Sequence, residues 1–375
     1  MYTTISRGGI YAEFFDNEHW ILCVKGIGTL QQERGKKMKY ISIREPHVVE
    51  ILEKECPKPE KGEALLKMLY GGICGSDLGT YRGTFAYADY PRIPGHEIAA
   101  EIVEVPDNDL GLRPGMVVTV NPYFNCGKCY SCQRGLVNAC MHNETLGAQR
   151  DGAFSQYFTA PLERIYDGKG LPAKTLAAIE PFCIGYHGVK RAMPKPGEKV
   201  LIVGSGTIGN VAMLAAKSFG ADVYMCDIAE GKLEFAKNNG VTDVIVNSSP
   251  ETFRAEVDRL TGGNGFDVTI EAVGLASTFQ NCIDAAAFGG RVVLIGVSKQ
   301  NLDFAFNVIQ KKELNVFGSR NALKEDFLAL IDLVAEGKVQ LDKIITDVYP
   351  FEQAAEAFHQ METNGAHMLK TLLQF

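Results

Sequence analysis

The tightest constraint on this chain is a strand–glycine–helix passage at residues 199–218. Lys199–Val203 is apolar and runs straight into Gly204-Ser205-Gly206-Thr207-Ile208-Gly209, which opens the helical run Asn210–Ser218. In such a passage the first glycine permits the tight turn. The second lets backbone approach a pyrophosphate, and the third lets helix and strand pack closely. Main-chain N–H groups at the helix start then face the phosphates, helped by the helix dipole. A glycine triplet alone says little, but this one has its strand, its helix and its acid. Asp227 closes the next strand, eighteen residues past Gly209. A carboxylate there binds both ribose hydroxyls and repels a 2′-phosphate, so NAD(H) is expected over NADP(H). Lys232 is the one contrary signal, as a phosphate partner or, in preference, an adenosine-side contact.

The rest of the chain sorts around this passage. A length of 375 residues makes two domains the default. Val200–Val203, Asp222–Cys226, Asp243–Val246, Asp267–Ile270, Arg291–Ile295 and Leu314–Phe317 are apolar and mostly separated by helical stretches. That alternation predicts a parallel sheet with helices on both faces. Residues 62–170 are rich in Gly and Pro, with short β-type runs at Glu63–Leu69, Glu97–Val105, Met116–Val120 and Ala153–Ala160. Their texture predicts a small irregular β-barrel with long loops. Helices are expected at Lys324–Glu336 and Phe351–Met361, and a terminal strand Leu369–Phe375 is free to rejoin the barrel. The expected division is therefore 38–180 with 330–375 for the barrel part and 181–329 for the nucleotide part. A net charge of −7, from 38 Lys+Arg and 45 Asp+Glu, gives no electrostatic reason to expect nucleic acid or an anionic membrane. No apolar run reaches the roughly 18 residues of a membrane span. A cytoplasmic location is expected.

Ten cysteines are unevenly spread. Cys126, Cys129, Cys132 and Cys140 give C-x2-C-x2-C-x7-C, the spacing of a tetrahedral thiolate zinc site with no open position. Four soft ligands and no water argue for a structural role, with an iron–sulfur cluster as the rival. Cys23, Cys56, Cys183, Cys226 and Cys282 stand singly and are expected as small buried hydrophobes.

Cys74 stands in Gly72-Ile73-Cys74-Gly75-Ser76-Asp77, and Pro94-Gly95-His96-Glu97 follows. With the four-cysteine lobe and the glycine passage, these fragments resemble the zinc-containing medium-chain dehydrogenase family over nearly everything after Met38. The resemblance implies a GroES-like catalytic domain beside a Rossmann domain, with two zinc ions per chain. The catalytic zinc would be held by Cys74 and His96, with Glu97 or Glu180 completing the site. Ala178-Ile179-Glu180-Pro181-Phe182-Cys183 looks like the Glu-Pro of polyol, sugar and threonine dehydrogenases, where simple alcohol dehydrogenases place a cysteine. Cys183 is a weaker candidate ligand. A carboxylate in place of a thiolate makes zinc a harder Lewis acid, suited to polyhydroxylated donors.

Zinc would lower the pKa of the bound alcohol while hydride passes to nicotinamide C4, leaving a ketone. Ser76 is placed to take the hydroxyl proton. The family often has a histidine five residues after the zinc cysteine, but this chain has Gly79; Tyr81, the cofactor ribose or water would replace it. Further cofactor contacts are expected at Ile295, Gly296, Val297, Ser319 and Arg320.

Gly318-Ser319-Arg320-Asn321, Glu325-Asp326-Phe327, Val348-Tyr349-Pro350-Phe351 and Tyr90-Pro91-Arg92 look like the bacterial sugar-acid branch acting on L-galactonate or L-gulonate at C5. A carboxylate substrate would want a guanidinium fork. Arg320 is the first candidate, and Arg92 and Arg150 are weaker. The partner class is a small polyhydroxylated molecule, and the resemblance suggests a homodimer or homotetramer joined through the Rossmann sheet edge. L-threonine and sorbitol or inositol are the competing substrates. A zinc-free reductase would lack Cys74, His96 and the thiolate lobe, and a noncatalytic binding protein would not need both an open zinc site and an intact glycine passage.

Residues 1–37 read differently, with no clean period and the only tryptophan, Trp20. Glu33-Arg34-Gly35 can be encoded by a purine-rich tract of ribosome-binding type shortly before Met38. Met38 is thus expected as the native start and residues 1–37 as translated leader, with a genuine N-terminal extension as the alternative.

Overall fold

Mostly antiparallel strands build the first part of the protein, whose computed structural model describes residues 5–6, 9–10, 37–85, 87–299, 301–365 and 367–375. Strands β1 (Lys37–Glu45) and β2 (Val48–Glu55) form an antiparallel hairpin, with Ile41 and Ile43 fully buried. β3 (Glu63–Ile73), β4 (Glu97–Glu104), β5 (Val117–Val120), β6 (Tyr157–Pro161) and β7 (Ile165–Asp167) follow. β3 pairs antiparallel with β4 and β6, and β5 with β4 and β7. β6 starts later than the pattern at Ala153–Ala160 predicts. Gly152, Ala153 and Phe154 instead bond the backbone of Ile93, Gly95 and Pro94 at 2.7, 2.9 and 3.0 Å. These residues clamp a loop instead of extending a strand.

The sequence period gives little sign of helix α1 (Gly75–Tyr81), because two of its seven residues are glycines of low helix propensity. Helix α2 (Ile179–Ala192) then leads into the second part. There β8 (Lys199–Val203), β9 (Asp222–Asp227), β10 (Asp243–Val246), β11 (Phe266–Glu271), β12 (Ala286–Leu294) and β13 (Asn315–Gly318) form a wholly parallel sheet in the order β10-β9-β8-β11-β12-β13. This is the doubly wound dinucleotide order. The continuous apolar runs have a plain cause. Val200 and Ile202 face one core with helices α2 and α3 (Thr207–Ser218), while Leu201 and Val203 face another with Phe253, Phe279 and Ile283.

After α4 (Lys324–Ala335), β14 (Ile345–Pro350) and β15 (Lys370–Gln374) return to the first sheet. β15 lies antiparallel to β3 with Thr371 opposite Ile73, and parallel to β14. Residues Lys37–Phe375 form one unit, knit by a core that joins Phe182 and Val189 of α2 to Leu372 of β15. Met1–Lys36 is a separate unit, in which Ile5–Ser6 pairs with Gly9–Ile10. Trp20, Cys23 and the rest of the expected leader lie outside the described residues. No helix among the described residues is long and apolar enough to cross a membrane.

A methyl group on Gly209 would stand 1.8 Å from the carbonyl oxygen of Gly204, a backbone atom that cannot step aside. Gly209→Ala is therefore expected to cost about 1–3 kcal/mol of stability, read as a lowered urea midpoint, and to weaken NADH binding in a fluorescence titration.

Candidate active site

Two groups of metal-ligating side chains come together among the described residues: Cys126, Cys129, Cys132 and Cys140, and Cys74, His96 and Glu97. In each, the ligand atoms lie within 4.8 Å of one another. The first sits on a lobe made by the short helix Tyr130–Gln133 and the turn Val137–Ala139. Cys129 Sγ is 3.5 Å from Cys132 Sγ and 3.8 Å from Cys140 Sγ. A tetrahedron with Zn–S bonds of about 2.3 Å has edges of about 3.8 Å, so the thiols already span the metal's polyhedron. Backbone N–H groups of Cys126 and His142 donate to Cys140 Sγ, each at 3.3 Å. Backbone hydrogen bonds at Cys132 and Met141 pull the Cys129 thiol down to about 6. Those donors favour a thiolate at Cys129, whereas burial and the neighbouring sulfurs push the Cys132 thiol up to about 11.

In the second group Cys74 begins helix α1, and the Asp77 carboxylate folds back to its N–H at 2.9 Å. The same carboxylate accepts from Gly95 N at 3.3 Å and lies 3.8 Å from His96 Nδ1. Gly95 has φ +102°, and a Cβ there would meet the Phe154 ring at 2.1 Å. Only glycine carries the chain past Phe154 into His96. Burial works against a charge on His96, but Asp77, Cys74 and Glu180 outweigh it and hold the imidazole well above the usual histidine range. A metal would have to displace that proton, so its binding weakens as pH falls.

Glu97 is fully buried. One carboxylate oxygen takes Lys370 Nζ at 2.6 Å, and the other has no hydrogen-bond partner. Lys370 itself is 2% exposed and also donates to the Ile73 carbonyl at 3.1 Å. Burial lowers its pKa, but Glu97, Cys74 and Glu180 more than offset that, so it stays charged. A buried cluster with one thiol, one imidazole and an unsatisfied carboxylate oxygen fits a divalent cation.

Glu180 lies outside that tight set. It is buried in the first turn of α2, accepts from the Tyr123 hydroxyl, and is pushed up to about 7 by burial. Cys183 is buried one turn on, where burial pushes its thiol up. Cys226 and Cys282 are buried too, while Cys56 is half-buried.

The remaining candidates separate. Ser76 is half-buried in the first turn of α1. Tyr81 is spent on packing, its ring edge-on to His47 at 5.1 Å and against Phe358 at 5.4 Å. Arg92 is engaged by Asp89 at 3.5 Å and Asp151 at 3.3 Å, and Arg150 by Glu144 at 3.7 Å over the Phe124 ring. Arg320 is exposed, with no acidic partner among the described residues.

At the nucleotide edge Gly206, Thr207 and Ile208 are half-exposed, and a Cβ on Gly206 would meet nothing within 4 Å. That open space fits a pyrophosphate. Asp227 holds the turn through Ser205 N at 2.7 Å and Ala229 N at 2.9 Å. Ser205 Oγ donates to the Lys232 carbonyl at 2.9 Å, and the Thr207 hydroxyl donates to the Leu369 carbonyl. Ile295 is buried, with its N–H on the Glu271 carbonyl at 2.9 Å. Gly296 and Ser319 are half-buried, and Val297 is 84% exposed.

Comparison with known proteins decides the family. Residues 60–169 match the alcohol dehydrogenase GroES-like domain, and residues 207–336 match the zinc-binding dehydrogenase family. L-galactonate-5-dehydrogenase of Escherichia coli K12 is 35% identical over 338 residues, 90% of this chain and 99% of that protein. The chain belongs to the zinc-binding alcohol dehydrogenases. L-threonine 3-dehydrogenase of Pyrococcus horikoshii is 34% identical over 337 residues, 87% of this chain and 96% of that one. The RspB structure from E. coli CFT073, complexed with NADH, superimposes with a TM-score of 0.84 at 32% identity, covering 91% of this chain and all of that one. As a zinc-binding alcohol dehydrogenase, the protein is an oxidoreductase acting on CH–OH, and zinc and a nicotinamide dinucleotide are its cofactors.

Sequence reasoning gave no role to Asp77, Tyr123, Asn210 or Lys370. Asn210 donates from within α3 to the Ser205 and Gly206 carbonyls at 2.9 and 3.0 Å. Lys370 carried a signal, being the one charge in an apolar C-terminal run. Lys370→Met leaves Glu97 buried without its partner. It is expected to destabilise the metal-free dehydrogenase by roughly 3–5 kcal/mol and the zinc-loaded form by less, in urea unfolding with and without chelator.

Proposed function

We propose that this protein is an NAD(H)-dependent dehydrogenase oxidising a secondary alcohol of a sugar acid, of the L-galactonate or L-gulonate 5-dehydrogenase type. The observation that carries the reading is the convergence of Cys74, His96 and Glu97, with ligand atoms within 4.8 Å and Glu180 buried nearby. These residues would hold the catalytic zinc, and Cys126, Cys129, Cys132 and Cys140 the structural one. A donor set with carboxylate in place of a second thiolate suits a hydroxyl-rich substrate. The 35% identity to L-galactonate-5-dehydrogenase supports the same substrate class.

When bound, zinc supplies Lewis acidity that makes the substrate hydroxyl easier to deprotonate. Everything else falls to the chain. Asp77 orients Cys74 and His96 from behind, and Lys370 restrains Glu97. Ser76 takes the hydroxyl proton and passes it to the cofactor ribose or water, since position 79 is glycine and Tyr81 is packed against Phe358. Asp227, at the end of β9, selects NAD(H) by its charge. Arg320 binds the substrate carboxylate, because Arg92 and Arg150 are already engaged by acids.

Association as a homodimer or homotetramer is supported by the free edge of the parallel sheet. β13 is its outer strand, with Val316, Phe288 and Phe306 exposed by 37, 68 and 78%. The work is done in the cytoplasm.

L-Galactonate, L-gulonate, sorbitol, inositol and L-threonine, each with NAD, separate the substrate readings by NADH absorbance. The sugar acids are expected to turn over fastest, and a chelator to abolish the rate; fastest turnover of L-threonine or sorbitol would reassign the substrate. Arg320→Ala is expected to raise KM for the sugar acid about 10–100-fold, the worth of a charge-assisted hydrogen bond, while leaving KM for sorbitol within about twofold.

A further inference from the structure

The four-cysteine lobe makes contacts that its metal does not require. Asn138, in the turn Val137–Ala139 just before Cys140, is 9% exposed. Its side-chain nitrogen donates to the backbone carbonyl of Arg320 at 3.0 Å. Its own backbone carbonyl accepts from Asn321 Nδ2 at 3.4 Å. The same side-chain nitrogen lies 3.1 Å from His187 Nε2.

An amide nitrogen carries two hydrogens and no acceptor, so both Nδ2 contacts are donations and His187 Nε2 is the acceptor. The ring proton then belongs on Nδ1, 2.8 Å from Asp326 Oδ2. Asp326 is fully buried and also takes Lys190 Nζ at 3.0 Å and the Leu323 N–H at 2.9 Å. The network therefore joins the cysteine lobe, α2, α4 and the loop after β13. Burying such groups is tolerable only when each is satisfied, and the chain Asn138–His187–Asp326 meets that condition in one arrangement.

What the latch holds is functional. The loop Ser319–Asn321 leaves β13 at the carboxyl edge of the sheet, the side where a dinucleotide lies. Asn321 stands at φ +52°, a left-handed backbone that asparagine adopts more readily than most side chains and that glycine would keep. α2 presses on the same place: a Cβ on Gly188 would meet Ile295 Cδ1 at 2.3 Å and Ser319 Oγ at 3.6 Å.

We propose that Asn138 is a positioning residue that latches the four-cysteine lobe to the Ser319–Asn321 loop, so that the lobe sets cofactor and substrate affinity as well as stability. This rests on the reading that NAD(H) and the substrate carboxylate meet that loop. Asn138 touches neither, and acts through Arg320 and Asn321.

The test is the Asn138→Ala holoenzyme, followed by zinc content, melting temperature, NADH fluorescence titration and steady-state kinetics. Losing its hydrogen bonds is expected to raise the NADH Kd, and KM for NAD and the sugar acid, by about 5–10-fold. kcat should stay within about twofold, and two zinc ions per chain should remain. In the double variant with Arg320→Ala, KM for the sugar acid should be no worse than with Arg320→Ala alone. Asn321→Gly removes the other half of the latch from outside the lobe while keeping the backbone angle, and should raise the same constants even if Asn138→Ala fails to load zinc. A lowered melting temperature with NADH Kd and both KM values unchanged in the variants would reduce the network to a structural one and overturn the proposal. Failure of the wild-type protein to bind NADH at all would instead overturn the nucleotide reading, and this inference with it.

Discussion

A lysine ammonium inside a protein core costs several kcal/mol unless a partner sits against it, and here the partner is Glu97. The Lys370–Glu97 pair, buried on both sides, fixes where the last strand lies. A one-residue slip of β15 against β3 would turn Lys370 away from Glu97 and exchange the faces that Leu372 and Leu373 present to the two cores. The same chain segment meets the nucleotide part, where the Leu369 carbonyl accepts the Thr207 hydroxyl. Two adjacent residues of the C-terminal segment thus touch the metal cluster and the glycine turn. The chain must return to its first sheet for either contact to exist.

Helix α2 makes the second connection between the parts. Its first turn carries Glu180 toward the cluster, while Gly185 and Gly188 let its later turns lie directly on α3 and on Ile295. A Cβ at Gly185 would come 2.6 Å from the backbone nitrogen of Ala212, so the helix cannot move on α3 without opening that seam. Close-packed interiors transmit small displacements instead of absorbing them. Glu180 and the glycines packed on α3 and Ile295 thus share one helix.

Much of this was legible in the sequence, for identifiable reasons. The parallel sheet announced itself because both of its faces are covered, which demands unbroken apolar strands such as Val200–Val203. The convergence of Cys126, Cys129, Cys132 and Cys140 was legible because they lie within fifteen residues, where spacing alone nearly dictates geometry. The meeting of Cys74 and His96 needed the family likeness, since side chains 22 residues apart carry no local signature. Helix α1 was hidden by its glycines, and β14 by its weak alternation. Tyr81 looked available as a polar group near Cys74, but the C-terminal end of α1 turns it into the barrel core beside Phe358. The network at Asn138 was illegible in principle: residues 138, 187, 320 and 326 meet only once the tertiary fold exists.

The groups around Cys74, His96 and Glu97 bring charges of both signs into one buried region. Asp77, Glu97 and Glu180 are three buried carboxyls gathered there beside the Cys74 thiol, with Lys370 as the buried ammonium against Glu97, so acidic groups outnumber basic ones and a divalent cation would offset the difference. Glu97 and Lys370 are both buried, whereas Cys74 is half-buried, so it is the loss of Lys370 or Glu97 that leaves an uncompensated buried charge. Metal-free protein must find protons to replace the cation. It does so where burial has already raised the carboxyl of Glu180 to about 7 and where Asp77 and Cys74 have raised His96. His96 and Glu180, which would help to hold a catalytic zinc, are thus also groups whose surroundings favour keeping a proton, so acid would compete with the metal at those side chains.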